Sequence, residues 1–106
     1  MGLMIKVSVL YPNQEGKTFN MDYYLKHHMP LVKNRLGAAC KGMAVEQALA
    51  GAAQGTPPAY IAMGHLLFDS VDAFQSAFAP HSPEILGDIP NYTAIEPLIQ
   101  ISEIKL

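Results

Sequence analysis

Cysteine is nearly absent from this chain and tryptophan is missing altogether: Cys40 is the one thiol among 106 residues. No internal disulfide can form, and a lone thiol without a Cys or His at metal-ligand spacing reads as a small core residue in a reducing cytoplasm. Charge is scarce too. Only 15% of the residues are charged, against about a quarter in an ordinary soluble domain. The net charge is −2, and the seven Lys and Arg are scattered from Lys6 to Lys105. Without a basic field, nucleic acid is excluded as a partner. No apolar run approaches the roughly 20 residues that span a bilayer, and MGLMIKVSVLY enters a strand pattern without a cleavage-site signature. The expectation is a cytoplasmic protein with no membrane partner, folded as one domain over residues 1–106. Its apolar share is 50%, so a surface poor in charge keeps neutral and apolar area that invites a protein partner.

The hydrophobic pattern then gives the elements. Leu3, Ile5, Val7, Val9 and Tyr11 alternate with polar positions and predict a first strand ended by Pro12-Asn13. Asn20 is placed to cap a helix whose stripe runs through Met21, Tyr24, Leu25, His28, Val32 and Leu36, with Gly37 as its stop. Pro30 lies inside that stripe and removes the bond to the Lys26 carbonyl, which predicts a kink or a break near His28 and Met29. Strands are expected over 41–49 and 60–68, joined by the small-residue loop at 50–58. The second of these is apolar on both faces, as for a central strand. Asp69 or Ser70 caps a helix carrying Val71, Phe74 and Phe78 and closed by Pro80. Ser82-Pro83-Glu84 reads as cap, first-turn proline and first-turn acid of a short helix ending near Gly87, and residues 97–105 supply the last strand.

This order is β-α-β-β-α-β, an α+β ferredoxin-like arrangement of one antiparallel sheet with helices on one face. Helices on one side leave the other face bare, so the pattern predicts a homodimer through the open sheet face, a dimeric α+β barrel.

The stretch FNMDYYLKHHMPLV, residues 19–32, concentrates the chemistry. His28 lies on the apolar stripe, while His27 is turned about 100° away towards solvent. A partly buried imidazole at a helix break is either an acid-base group or a core histidine bonded to a carbonyl that Pro30 frees; spacing leaves both open. Tyr23 and Tyr24 are placed to orient a substrate oxygen, with ring packing the use of at least one of them. His65 stands mid-strand among apolar residues and needs a polar partner; on the helix-facing side it would share a cavity with His28. His81, Asp88, Asn91 and Tyr92 fall in the irregular stretch APHSPEILGDIPNYT, a rim or lid over that cavity. Gly16-Lys17-Thr18 is no phosphate loop, because Tyr11 stands where its first glycine belongs, and Asn91-Tyr92-Thr93 is no glycosylation site without a secretory signal. Four histidines without a closely spaced ligand set make no metal site.

FNMDYYLKHHMPLV, the late segment FAPHSPEILGDIPNYT and the end PLIQISEIKL resemble the EthD family, named for ethyl tert-butyl ether degradation. The likeness covers nearly the whole chain, with Tyr24, His28 and Pro30-Leu31-Val32 on the family's helix motif. The resemblance implies a dimeric α+β barrel of ferredoxin-like subunits, in which enzymatic relatives commonly use a histidine and a tyrosine of the helix-sheet cavity to handle protons. Residues and resemblance together lead to an expected small cofactor-free enzyme or catabolic accessory protein. It would hold an apolar oxygenated small molecule between helices and sheet. Here His28 is the acid-base group, Tyr24 or Tyr23 orients the substrate, and His65, Asp88, Asn91 and Tyr92 contact it. The alternatives are a non-catalytic dimeric binding or assembly module and a haem-binding barrel with His28 or His65 as axial ligand.

Overall fold

The structure, a computed structural model, describes residues 4–106; Leu3, expected to begin the first strand, lies outside them. Four strands form one antiparallel sheet: β1 (Ile5–Pro12), β2 (Gly42–Gln47), β3 (Tyr60–Phe68) and β4 (Leu98–Glu103), in the order β2-β3-β1-β4. The ferredoxin-like α+β arrangement is therefore the observed one. β1 lies between β3 and β4, with Ser8 opposite both His65 and Gln100 and Val9 opposite Gly64. This register fixes the faces, because alternate residues of a strand point to opposite sides. Ile5, Val7 and Tyr11 of β1, with Ala62, Leu66 and Phe68 of β3, are buried beneath the helices. Ser8, Leu10, Met63 and His65 belong to the other face.

The first helical arm is continuous but not uniform. It consists of α1 (Met21–Tyr23), a π-helical turn over Tyr24–His28, and α2 (Met29–Leu36). Asn20 caps it as expected, its Oδ1 accepting from the Tyr23 amide at 3.0 Å. Gly37 ends it at φ +60°, a backbone that side-chain-bearing residues adopt only with strain. Pro30 does not break the helix. The chain widens instead, and the Met29 amide bonds to the Tyr24 carbonyl five residues back. A π turn relieves the proline's clash with the preceding carbonyls while keeping the helix axis going.

Ser70 caps α3 (Val71–Phe78), its Oγ accepting from the Ala73 amide, and a 3₁₀ turn containing Pro80 follows. α4 (Ser82–Gly87) starts one residue earlier than the sequence suggests. Ser82 is its first residue and not its cap, and the Ser82 hydroxyl donates back to the Ala79 carbonyl. Another 3₁₀ turn, Ile89–Asn91, leads towards β4. Among the described residues no helix is long and apolar enough to cross a membrane.

Candidate functional site

Between the helices and the sheet lies a cavity of about 210 Å³. Val7, Val9, Leu66 and Ile99 form its floor, Met29 and Val32 one wall, and Phe74, Phe78, Ile85, Leu86 and Ile89 the other. Tyr11, Tyr24, Gly64 and His28 close its inner end. The aliphatic and aromatic walls follow from the alternation of β1 and β3 and from the stripe along the first arm.

His28 is 4% exposed. Its ring stacks on Tyr24, with centroids 5.4 Å apart and planes 14° from parallel, and Tyr92 covers it at 4.7 Å. Its Nδ1 meets Asp88 Oδ2 at 2.9 Å. The other oxygen, Asp88 Oδ1, accepts from the Tyr23 hydroxyl at 2.7 Å and from Asn91 Nδ2 at 2.9 Å. Nε2 of His28 has no partner among the described residues. Since no side-chain nitrogen or oxygen there is buried without a hydrogen bond, Nε2 stays open to the cavity that its ring lines.

The π turn makes this constellation possible. Tyr23 and His28 are five residues apart, which on a regular α-helix places them about 140° from each other. The wider turn brings both to one carboxylate. The electrostatics are lopsided. Burial would raise the Asp88 pKa, but hydrogen bonds from Asn91, Tyr23 and His28 together hold it below the usual carboxylate range. For His28, burial outweighs its hydrogen bond and attraction to Asp88 and pushes the imidazole below its ordinary value. The result is a neutral imidazole against an ionised carboxylate. The hydrogen bond to Asp88 also raises the Tyr23 hydroxyl.

Behind His28 sits a cluster of buried phenols. Tyr11 and Tyr92 share a hydroxyl-hydroxyl bond of 2.6 Å, and the Tyr24 hydroxyl adjoins that of Tyr11. Desolvation raises all three well above the ordinary tyrosine range, so they remain protonated. Gly64 admits them: a Cβ there would collide with the Tyr24 hydroxyl oxygen, so a bare backbone is required opposite this ring.

The expected site residues divide into three groups. His28 and Tyr24 line the cavity. Tyr23, Asp88, Asn91 and Tyr92 do not; they form the layer that holds His28 from behind, and the cavity contacts of the late segment come from Leu86 and Ile89. His65 is on the face of the sheet away from the helices, so of the two placements left open it takes the one that shares no cavity with His28. Its Nδ1 is 3.0 Å from Ser8 Oγ and its Nε2 3.1 Å from Glu46 Oε1. His81 is not on the cavity wall. The sequence reading missed Tyr11, Gly64 and the aromatic pair Phe74 and Phe78 as site residues. A glycine in the middle of an apolar strand was the signal for close approach.

Outside the cavity lining, Arg35 of α2 grips Glu84 of α4 through two parallel bonds of 2.7 and 3.0 Å. Glu84 and Asp88 are one helical turn apart, so α4 and its extension are tied to the first arm at both ends of Leu86. No group of three His, Cys, Asp or Glu side chains capable of holding a metal occurs among the described residues.

Comparison with known proteins gives two consistent results and one blank. The EthD domain model matches residues 16–95. An EthD-like protein from Ralstonia eutropha JMP134 is similar over 100% of this chain and 96% of its own, with 51% identity and a TM-score of 0.94. A putative monooxygenase from Shewanella loihica PV-4 (9% identity, 100% and 98% covered, TM-score 0.63) and a dimeric ferredoxin-like protein of unknown function from Thermobifida fusca YX (18%, 98% and 93%, 0.62) share the fold. A search of curated proteins finds no match.

Proposed function

This chain belongs to the EthD domain family, and we propose that it is a cofactor-free, small-molecule-binding protein of oxidoreductase-associated catabolism in which His28 exchanges a proton with an apolar oxygenated ligand. The observation that carries the reading is the oriented imidazole: Nδ1 is held by an ionised Asp88 while Nε2 is open to an otherwise apolar cavity. A histidine placed this way works as a general base, and the conjugate acid returns the proton. Asp88 orients the ring and stabilises the cation formed in passing, while Tyr23 and Asn91 orient Asp88. Tyr24 sets the ring plane. The likeness to a putative monooxygenase is one of fold and supports the association with oxidative catabolism only at that level.

Within this reading the chain is one domain that pairs with a second copy through the sheet face opposite the helices, as the likeness to a dimeric ferredoxin-like protein suggests. Solvent hydrogen-deuterium exchange tests the chemistry. Apolar ketones that also bear one hydroxyl are incubated with the protein in D₂O and followed by NMR. Exchange at the acidic C–H positions is expected in the wild type and falls by roughly 10²–10⁴-fold in His28→Gln, the usual contribution of a positioned acid-base group. Ligands that bind but never exchange would favour a binding module.

A further inference from the structure

The hydrogen-bond polarity of the cavity is fixed by groups that never touch a ligand, and it limits what the ligand presents. Asp88 Oδ1 accepts two donors, the Tyr23 hydroxyl and the Asn91 amide, and Oδ2 faces His28 Nδ1. A carboxylate surrounded by donors only accepts, so Nδ1 carries the proton. In a neutral imidazole the other nitrogen is then a bare lone pair. Burial beneath Tyr24 and Tyr92 favours that neutral form. Nε2 therefore faces the cavity as an acceptor.

Little else in the cavity is polar. Tyr11 and Tyr24 reach it with their rings, and their hydroxyls are engaged in the phenol cluster behind His28. The remaining side chains of the wall are hydrocarbon or, at Met29, a thioether. A ligand O–H finds one well-placed acceptor, whereas a ligand atom that needs a donor has only the Tyr24 hydroxyl, which is turned to Tyr11.

We propose that this cavity selects an uncharged apolar molecule bearing one hydroxyl, such as a phenol or an alcohol, over the ether or ester of the same shape, because Nε2 of His28, the nitrogen it turns to a ligand, accepts and cannot donate. The inference rests on the reading of the His28 cavity as the ligand site and adds the class of ligand to it. The hydroxyl lies against Nε2, its carbon skeleton against Phe74, Phe78 and Leu66. An ether oxygen in the same place meets a lone pair and loses its hydrogen bond to water without replacement, which costs affinity.

Calorimetric titration with para-isopropylphenol and para-isopropylanisole, its methyl ether, tests this in the intact protein. The phenol is expected to bind about tenfold or more tightly than the anisole. Asp88→Asn is expected to reverse the order. The Tyr23 and Asn91 donors keep the new carbonyl oxygen, so the amide NH₂ faces Nδ1, and the proton moves to Nε2. The ¹⁵N spectrum of the wild-type His28 ring gives a check that needs no variant: Nδ1 protonated and Nε2 bare. Equal affinity for phenol and anisole, a phenol preference unchanged in a folded Asp88→Asn protein, or a proton on Nε2 overturns the inference and leaves the ligand site standing. Binding of neither compound overturns both.

Discussion

His28 and Asp88 both make the fold weaker in acid, the imidazole through its burial and the carboxylate through the donors gathered around it. His28 titrates below its ordinary value of 6.5 when folded, so on acidification the unfolded chain takes up its proton first. Stability is complete above that value and falls as the pH drops below it. Asp88 is held below its ordinary 3.8, so its contribution is present above that value and is lost as the pH falls through the folded one. Urea midpoints measured between pH 8 and 5 should decline in the wild type and flatten in His28→Gln; an unchanged slope in the variant would remove His28 as the source. Gly64→Ala is the second test at this scale. The added methyl meets the Tyr24 hydroxyl, and overpacking of this kind costs about 1–3 kcal/mol, read as a lower urea midpoint. The sequence made His28 visible because an imidazole on an apolar helical stripe is conspicuous. It could not show that Asp88, sixty residues later, serves the imidazole and leaves the cavity wall to Leu86 and Ile89. Nor could strand alternation alone say which face His65 takes, because β3 is apolar on both sides and the register with Ser8 decides it.

At the scale of elements, the first arm carries the design. Its length, cap and stop were legible, since Asn20, the stripe and Gly37 each act locally. The response to Pro30 was not, because a proline in a helix is accommodated either by breaking it or by widening the turn before it, and packing of Tyr24 and His28 beneath the sheet chooses between them. The wide turn is what lets residues 23 and 28 share a carboxylate. Pro30→Ala supplies the missing N–H and removes the ring, so a regular α-turn becomes available. Thermal unfolding should then stay level or rise, while affinity for para-isopropylphenol falls as Tyr23 rotates away from Asp88. Unchanged affinity would mean that the Ile89–Asn91 turn positions Asp88 unaided.

For the whole molecule, the two sides of the sheet have different purposes. One holds the cavity. The other sets Leu10, Met63 and the half-exposed Leu98 around the polar chain Ser8-His65-Glu46. A mixed face of this kind suits pairing with a second copy, since stable interfaces surround a packed centre with polar contacts and bury more than about 1,000 Å². Light scattering should report a dimer for the wild type and a monomer for Met63→Glu with its circular dichroism intact; a dimeric variant would move the interface elsewhere. The open face was predicted from strand alternation and helix count, both readable in sequence. The polar chain across it was not, because it depends on three strands meeting.

The Arg35–Glu84 clasp bears on time as well as on shape. It ties α2 to α4 two residues before Leu86 of the cavity wall, so parting these helices to admit a molecule works against a charged latch although the molecule itself carries no charge. Exposed ion pairs weaken as salt screens them. Added salt should therefore quicken the exchange of a neutral ligand in both directions and leave its equilibrium affinity nearly unchanged.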